Sequence, residues 1–453
     1  MTGTDRGQWS SRLGFILAAA GSAIGLGNIW RFPYTAGENG GAAFILVYLI
    51  FIVAIGVPVQ LCELSLGRKS TRAAVGAFKV IAPGTKWSFL GVMGVMAGFG
   101  ILSFYAVIAG WTVGYLYFAI TGSFTGIDQT GSTEIFTTLV SGSFWPILLL
   151  AVFMIVTALV VQGGIQGGIE RAARILMPLF FVFLVVLAIR SLTLPGASEG
   201  IAFLTQVDFS KLNFAVMGNA LGQALFSLSL GMGAMITYGS YLKKDENLPV
   251  AAASVAIFDT SIALLAGLII FPAVFAAGME PSAGPGLVFM VMPIVLTAMP
   301  GGSFFAFLFY FLLAIAALTS TISLLEVIVS YFVDERDWSR PKAVWSVAAL
   351  CFLIGVPSAL ANGANGFLSG QVFGTDFLSF MDLVFGKYFL TIGAGGICIF
   401  AGWFWGIPKA LEEIENGGHK LPGAPLWSFL VRFVCPVAVI VLLYMVITGQ
   451  AAW

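Results

Sequence analysis

The first apolar stretch of the chain, residues 10–35, combines glycines with polar side chains that could bind ions. Three glycines lie in its middle: Gly21, Gly25 and Gly27. Because glycine inside a helix costs roughly 0.5–1 kcal/mol relative to alanine, this spacing predicts a helix that stops and restarts. The freed carbonyls can coordinate a cation, and the N–H groups of the second half-helix can hold an anion. Close helix packing through small residues is the alternative; Asn28 and Arg31, polar groups at membrane depth, favour a binding site.

A second apolar stretch, residues 214–241, is interrupted in the same way. Its centre, residues 227–233, reads SLSLGMG. Irregular backbone at membrane depth is tolerated only inside protein or beside a water-filled cavity. Breaks at corresponding positions in two halves of a membrane protein indicate a binding site at the interface of the halves. The two stretches therefore predict one shared site.

The composition is that of a membrane protein that crosses the bilayer many times. Hydrophobic residues make up 59% and charged residues 9%, with a mean hydropathy of +0.99, whereas soluble domains are about 25% charged. The net charge of +0 gives no indication of a nucleic-acid partner. The one histidine, His419, lies in a polar loop, so histidine-based catalysis or haem ligation within the membrane is excluded. We predict that the protein is not an enzyme.

Eleven stretches are apolar enough to span a membrane, for which about 20 residues are needed. They cover residues 10–35, 41–67, 88–121, 144–161, 168–191, 214–241, 248–276, 303–334, 341–361, 376–406 and 426–449. Most of the 21 lysines and arginines fall in connections on the side of the N-terminus, and the opposite connections hold only Arg190, Lys211 and Lys387. The positive-inside rule then places the N-terminus in the cytoplasm and Trp453 outside.

Two further segments allow two interpretations each. Residues 277–302 contain an apolar piece too short to span, which predicts either a lid over the outer mouth or an ordinary interfacial helix. The fifth span contains Gly168 and Pro178. Since proline removes a backbone hydrogen bond, the span is either simply kinked or locally unwound to open a cytoplasmic path.

Several sequence motifs occur together in one order. They are AGSAIGLGNIWRFPY (20–34), ENGGAAF (38–44), ELSLGR (63–68), SFYAVIAGW (103–111), FSLSLGMGAMITYGSY (226–241), ALTSTISLLE (317–326) and VDE (333–335). In these motifs the chain resembles the neurotransmitter:sodium symporter family, most closely its bacterial members that carry several hydrophobic amino acids. The resemblance implies one all-α transporter domain, 1–453, of the leucine-transporter type. It would hold two inverted five-helix repeats, approximately 10–191 and 214–406, and an extra helix at 426–449, whereas many members have a twelfth span.

The resemblance also implies two sodium sites. The first would join the substrate carboxylate to the carbonyl of Ala23, the side chain of Asn28, Ser227 and Asp259. The second would use the carbonyls of Gly21, Ile24 and Ala316 and the hydroxyls of Thr319 and Ser320. Oxygen ligands suit a hard cation. From the residues alone, hydroxyls at 319–321 bonded back to their own helix are the better explanation, and the resemblance reverses that preference.

A substrate pocket between the two broken spans follows from the same resemblance. The hydroxyl of Tyr105 and the N–H groups of Leu26 and Gly27 would bind a carboxylate at a helix N-terminus. Carbonyls of Ala23, Phe226 and Ser229, next to Ser227, would take an ammonium group. The substrate side chain would meet Ser22, Ile101, Phe226, Met232, Ser320 and Leu324.

Two positions indicate the substrate class. Relatives that carry monoamines have an aspartate where this chain has Gly25, so a substrate with its own carboxylate is favoured. Met232 replaces the phenylalanine of the bacterial leucine transporter, and methionine suits pockets that accept several shapes. We predict bulky apolar and aromatic L-amino acids, tryptophan included.

An acidic residue replaces the usual asparagine of the family at Asp259. Tyr48, Gln223 and Ser227 match the chloride neighbourhood of chloride-dependent relatives, but Ala263 stands where animal members have a serine. Asp259, with Glu63 on the second span, would supply the negative charge, so we predict chloride-independent transport. Proton antiport through Asp259 or Glu63 stays open, as does a simple packing role for both.

Two ion pairs are expected to act as gates. Arg31 and Asp382 would close the outer side above Tyr105 and Phe226. Arg6 and Asp334 would close the cytoplasmic side near Tyr241 and Trp9, although both could be ordinary surface charges. Ion pairs that water can reach are weak enough to break in every cycle.

These predictions describe a sodium-driven symporter of hydrophobic amino acids that works by alternating access with two Na⁺ ions. Its partners would be the amino acid, Na⁺ and membrane lipid, in the inner membrane of a bacterium. A channel or a non-transporting amino-acid sensor on the same fold are the alternatives.

Overall fold

A computed structural model describes residues 7–281 and 286–451, and regular structure within them is helical apart from an isolated bridge between Val372 and Thr375. The helices are α1 (Arg12–Ala23), α2 (Gly27–Glu38), α3 (Ala42–Ser70), α4 (Ala74–Ile81), α5 (Ser88–Thr121), α6 (Gln129–Ser141), α7 (Phe144–Gln162), α8 (Ile165–Leu192), α9 (Ala197–Thr205), α10 (Phe214–Ser227), α11 (Ala234–Gly239), α12 (Leu248–Ala276), α13 (Leu287–Thr297), α14 (Gly302–Arg336), α15 (Arg340–Ala359), α16 (Phe377–Ile414) and α17 (Ala424–Ile447). Arg6 of the predicted cytoplasmic gate and Trp453 lie outside the described residues.

In the described part of the chain, nine helices are long and apolar enough to cross a membrane without interruption. The pair α1 and α2 adds a bent segment with an angle of 49°. The pair α10 and α11 adds a second broken segment. This arrangement is consistent with eleven spans, and it confirms the predicted all-α membrane fold.

Both predicted breaks are present. Helix α1 ends at Ala23, and Ile24 is extended, with φ −75° and ψ 101°. Helix α10 ends at Ser227, and the following six residues, 228–233, are not helical. Gly231 and Gly233 have φ values of +79° and +78°, which favour glycine because side chains with a Cβ are strained there. The glycines therefore open the backbone where the sequence predicted it.

The fifth span, for which the sequence allows either a simple kink or a local unwinding, is irregular at Gly168 and not at Pro178. Pro178 lies inside a continuous helical segment, Arg171–Leu192. The irregularity comes earlier, where residues Ile165–Glu170 form a widened π-helical turn after Gly164, whose φ is +77°. The helix resumes before the proline, and the opening of a cytoplasmic path by this span stays a prediction.

The start of the chain is bound to the start of α8. The backbone N–H and the hydroxyl of Ser10 donate to the carboxylate of Glu170 at 2.8 and 2.6 Å. Arg174 donates to the same carboxylate at 2.6 Å and to the hydroxyls of Ser10 and Ser11. A Cβ on Gly14 would lie 1.8 Å from Glu170 Oε1, so only glycine allows this approach. Helices α1 and α8 therefore form one tied unit at the predicted cytoplasmic face.

Between 277 and 302, the apolar piece forms α13, which penetrates the bundle. Phe289 is fully buried, and its ring contacts Trp111, Tyr115 and Phe136 at centroid distances of 5.8, 5.1 and 5.9 Å. A helix lying only on the membrane surface would expose one face. This burial favours the lid over the interfacial helix.

A buried ion pair joins α3 to the end of α16. Arg68 is fully buried; its Nε lies 2.8 Å from Oε1 of Glu413, and its Nη2 donates to the Glu413 carbonyl. Lys69 and Lys244 lie 3.6 and 3.8 Å from the same carboxylate. Burial lowers the pKa of Lys244, which lies in the α11–α12 connection, below its ordinary value.

Replacing Glu413 by alanine is expected to destabilise the protein by about 3–5 kcal/mol, because Arg68 would keep its buried charge without a counter-charge. Thermal unfolding of the purified protein in detergent measures the loss. Glu412, the exposed neighbour on the same helix, provides the matched control Glu412→Ala. Equal unfolding temperatures for the two variants would contradict the expectation.

Candidate binding site between the two broken helices

A small cavity of about 20 Å³ lies between the breaks of the two interrupted spans. It is lined by Ser22, Ala23, Gly25, Gly27, Ile101, Tyr105, Phe226, Ser229, Met232, Ser320, Ser323 and Leu324. Ten of these residues are among the predicted substrate-binding positions, to which Gly25 and Ser323 are added. The space suffices for a single water molecule. A bulky side chain would therefore require the movable side chains of the lining, above all Met232 and Leu324, to shift.

The predicted carboxylate-binding groups meet at the start of α2. The N–H of Leu26 donates to the hydroxyl oxygen of Tyr105 at 2.8 Å. That hydroxyl keeps its own proton for donation, beside the N-terminus of a half-helix. Leu26 itself lines the outer vestibule rather than the cavity. The arrangement can hold an anionic group through Tyr105 and the backbone.

The predicted first cation site is a fully buried polar cluster. Nδ2 of Asn28 donates to Oδ1 of Asp259 at 2.8 Å, and the hydroxyl of Ser227 lies 2.9 and 2.8 Å from the two Asp259 oxygens. The Tyr48 hydroxyl lies 3.3 Å from Asp259 Oδ2. Ser227 faces this cluster and does not line the cavity. The oxygens suit a hard cation, and the carboxylate supplies a fixed negative charge.

Gln223 and Ala263 are the other residues compared with the chloride neighbourhood of relatives, and their side chains make few hydrogen bonds. Nε2 of Gln223 donates to the carbonyl of Gly27 at 2.9 Å, and Oε1 of Gln223 accepts no hydrogen bond among the described residues. Ala263 is fully buried and contributes no oxygen from its side chain.

Glu63 lies at the second break, apart from the Asp259 cluster. Its Oε1 accepts from the N–H of Gly231 at 2.7 Å, and the two carboxylates share no hydrogen-bond partner among the described residues. The sequence placed both acids in one charge-compensating group. The structure shows Glu63 hydrogen-bonded to the unwound backbone of the sixth span, and its part in charge compensation stays a prediction.

The predicted second cation site brings α14 against the first break. The hydroxyl of Thr319 lies 3.2 Å from the carbonyl of Ile24 and 3.0 Å from the carbonyl of Ala316. A Cβ on Gly21 would lie 3.4 Å from Cβ of Thr319. The Ser320 hydroxyl donates to the carbonyl of Ser22 at 3.3 Å. The hydroxyl of Thr319 thus contacts a carbonyl of its own helix, as the structural interpretation expects, and a carbonyl at the first break, as the cation-site interpretation expects.

An outer vestibule of about 360 Å³ lies above the cavity. Phe226 and Tyr105 line both spaces and separate them. Nη2 of Arg31 lies 3.7 Å from Oδ2 of Asp382, and its guanidinium lies 4.4 Å from the centre of the Phe226 ring. Since 3.7 Å exceeds a hydrogen bond, the predicted outer gate is a loose ion pair above an aromatic side chain.

The predicted cytoplasmic face is closed by aromatic and polar contacts. Nε1 of Trp9 donates to the carbonyl of Tyr238 at 3.0 Å, and Trp9 is buried. The carboxylate of Asp334 accepts from the N–H of Ala73 at 3.0 Å. Its predicted partner, Arg6, lies outside the described residues, so this gate stays a prediction.

Two groups near the site were not predicted from the sequence. Ser323 lines the cavity one helical turn after Ser320, and that three-residue spacing on α14 is the signal that could have revealed it. Glu326 is fully buried, accepts from the Tyr241 hydroxyl at 2.7 Å and pairs with Arg340 at 2.5 Å. An acid inside an apolar span is itself an indication of function or of a buried pair.

Comparisons with known proteins agree with this geometry. The profile of the Sodium:neurotransmitter symporter family matches residues 6–133 and 141–452. The crystal structure of MhsT in complex with L-phenylalanine superposes with a TM-score of 0.90 at 48% sequence identity, covering 97% of this chain and 99% of that one. An uncharacterized sodium-dependent transporter of Bacillus subtilis, YhdH, is 40% identical over 437 residues, 96% of each chain. One from Haemophilus influenzae is 38% identical over 449 residues, 97% of each.

Two broken helices around a central cavity in a multi-pass helical protein are the architecture of many secondary transporters. The chain belongs to the sodium:neurotransmitter symporter family. The predicted family is thereby confirmed.

Proposed function

We propose that the protein is a sodium-coupled symporter that brings neutral hydrophobic and aromatic L-amino acids into a bacterial cell by alternating access. The observation that carries the proposal is the pair of breaks. They place backbone groups of α1, α2 and the 228–233 segment around one small cavity, with an oxygen-rich cluster on either side. Two Na⁺ ions, bound at the Asp259 cluster and at Thr319, would link the broken helices to the rigid helices α12 and α14.

The choice of an amino acid rests on charge and space at the breaks. A Cβ at Gly25 would lie 2.2 Å from the Ser320 hydroxyl and 2.7 Å from the Tyr105 hydroxyl, so this position has no space for the side-chain carboxylate that an amine substrate would need. Tyr105 and the start of α2 offer donors to a carboxylate that the substrate brings. The bound L-phenylalanine of MhsT supports an aromatic substrate for this similar chain. Met232 and Leu324 give the pocket pliable walls.

Independence from chloride rests on Asp259. Its buried carboxylate lies within hydrogen-bond distance of Ser227 and Asn28 and supplies the negative charge beside the first cation.

Inward release of the substrate would follow loss of the second Na⁺, which frees α1 from α14. The basic connections place the N-terminus in the cytoplasm. Each positive charge that moves inward across a membrane potential of about 100 mV then contributes about 2.3 kcal/mol to the driving force.

Uptake into proteoliposomes tests the proposal. We expect saturable accumulation of tritiated L-tryptophan and L-leucine when a sodium gradient is directed inward, and no accumulation when potassium replaces sodium. Replacing external chloride by gluconate is expected to leave the rate unchanged. Sodium-dependent binding without accumulation would instead identify a sensor, and flux that does not saturate would identify a channel.

A further inference from the structure

Arg432 lies inside a membrane-spanning helix and has no acidic partner within 4 Å among the described residues. It follows Ala424, the first residue of α17, by eight positions. At 1.5 Å per residue, its Cα lies roughly 12 Å along the helix from the predicted cytoplasmic end. From this depth a long basic side chain can extend toward the boundary between hydrocarbon and headgroups. An ionisable group there is costly unless a counter-charge is present.

The guanidinium is held in place by α16. Its Nε donates to the carbonyl of Gly402 at 3.1 Å, and the indole N–H of Trp403 donates to the carbonyl of Arg432 at 3.1 Å. The guanidinium carbon lies 5.9 Å from the centre of the Trp403 indole. Neither Nη group donates to a described protein group, whereas Nε does. The two Nη groups are therefore oriented and available, which suits bidentate binding of an anion.

The surface around this arginine faces lipid. Four aromatic side chains on α16 and α17 are about half exposed: Trp403, Phe404, Phe429 and Phe433. Aromatic side chains are enriched at the interface between a membrane and water. Both helices also have widened π-helical turns here, Phe400–Gly406 and Leu430–Val434, and such turns are frequent at functional sites.

We propose that Arg432 and Trp403 form a binding site for the phosphate of an anionic phospholipid in the cytoplasmic leaflet. The guanidinium supplies two parallel N–H donors that match a phosphate, and the exposed rings pack against the glycerol and the upper acyl chains. Charge complementarity argues for a lipid over a second copy of this chain. A second copy that docked through the same aromatic surface would bring no acidic side chain to Arg432, whereas an anionic lipid brings a phosphate.

Native mass spectrometry of the purified transporter tests the site. The protein is titrated with phosphatidylglycerol and, separately, with phosphatidylcholine. We expect tighter retention of one phosphatidylglycerol, and a loss of about tenfold in its apparent affinity in Arg432→Gln. Arg171→Gln is the matched control, because Arg171 is an exposed arginine at the predicted cytoplasmic end of α8 without these aromatic neighbours. Arg432→Lys should give an intermediate loss, since lysine keeps the charge but not the planar fork.

Further measurements separate the outcomes. Sodium-dependent binding of L-phenylalanine in Arg432→Gln should equal that of the unmodified protein, which shows that the variant is folded. Equal retention of the two lipids, or equal losses in the Arg432 and Arg171 variants, would overturn the proposal. Displacement of the lipid by millimolar glycerol phosphate would also overturn it, because the headgroup alone would then suffice. A dimer that dissociates in Arg432→Gln would assign the surface to a second copy.

Discussion

Replacing Gly25 by alanine is expected to weaken binding of L-phenylalanine by roughly tenfold to hundredfold. A Cβ at this position would lie 2.2 Å from the Ser320 hydroxyl and 2.7 Å from the Tyr105 hydroxyl. Both groups would have to move, and overpacking of this kind costs typically about 1–3 kcal/mol, which converts to that loss of affinity. Competition for bound tritiated L-phenylalanine in a scintillation-proximity assay measures it.

The matched control for this variant is Gly366→Ala. A Cβ at Gly366 would meet no atom within 4 Å, so binding should stay within about threefold of that of the unmodified protein. An aspartate at position 25 should weaken binding further than alanine, because it adds a carboxylate where the substrate carboxylate is expected. If Gly25→Ala bound L-phenylalanine as tightly as the control, the amino-acid pocket would have to lie elsewhere.

Replacing Asp259 by asparagine is expected to lower sodium affinity about tenfold to hundredfold and to make transport depend on chloride. The carboxylate lies within hydrogen-bond distance of Asn28, Ser227 and Tyr48. An amide offers one oxygen instead of two, turns an NH₂ group toward a donor and removes the negative charge. Hydrogen bonds to charged groups contribute about 1.5–3 kcal/mol, which sets the size of the effect.

The experiment compares sodium-driven uptake in chloride and in gluconate. The unmodified protein should transport equally in both, and Asp259→Asn should recover part of its uptake only in chloride. Asp208→Asn is the control, because Asp208 lies in an exposed turn and caps Ser210, a role that asparagine can also fill. Chloride-dependent uptake by the unmodified protein would remove the basis of the proposed charge compensation.

The two breaks could be predicted from the residues themselves because the chemistry of glycine is local, whereas the cavity lining was predicted from the resemblance to the family. A cluster of glycines at membrane depth has few structural explanations, and the motif around each cluster fixes which backbone groups are freed. Gly231 and Gly233 have the positive φ values that such a cluster implies. Ser323 was missed because a serine inside a helix normally bonds to its own backbone, as it does here to Ser320.

Contacts between distant segments could not be predicted in this way. The hydrogen bond from the N–H of Gly231 to Glu63 joins residues 168 positions apart. The Arg68–Glu413 pair joins residues 345 positions apart, and no periodicity in either helix indicates it. The helices α4, α6 and α9 are short segments in connections, and their stability depends on packing against the bundle rather than on length.

The tie between the start of the chain and α8 has a mechanical consequence. Because Ser10 is hydrogen-bonded to Glu170, and Arg174 contacts both, α1 and the start of α8 move together for as long as these bonds hold. The paired glycines 163 and 164, with Gly164 at φ +77°, form a ready hinge just before this tie. Opening toward the cytoplasm would then involve both helices. Helix α1 would move outward together with the first turns of α8, and the backbone would rotate at glycines 163 and 164.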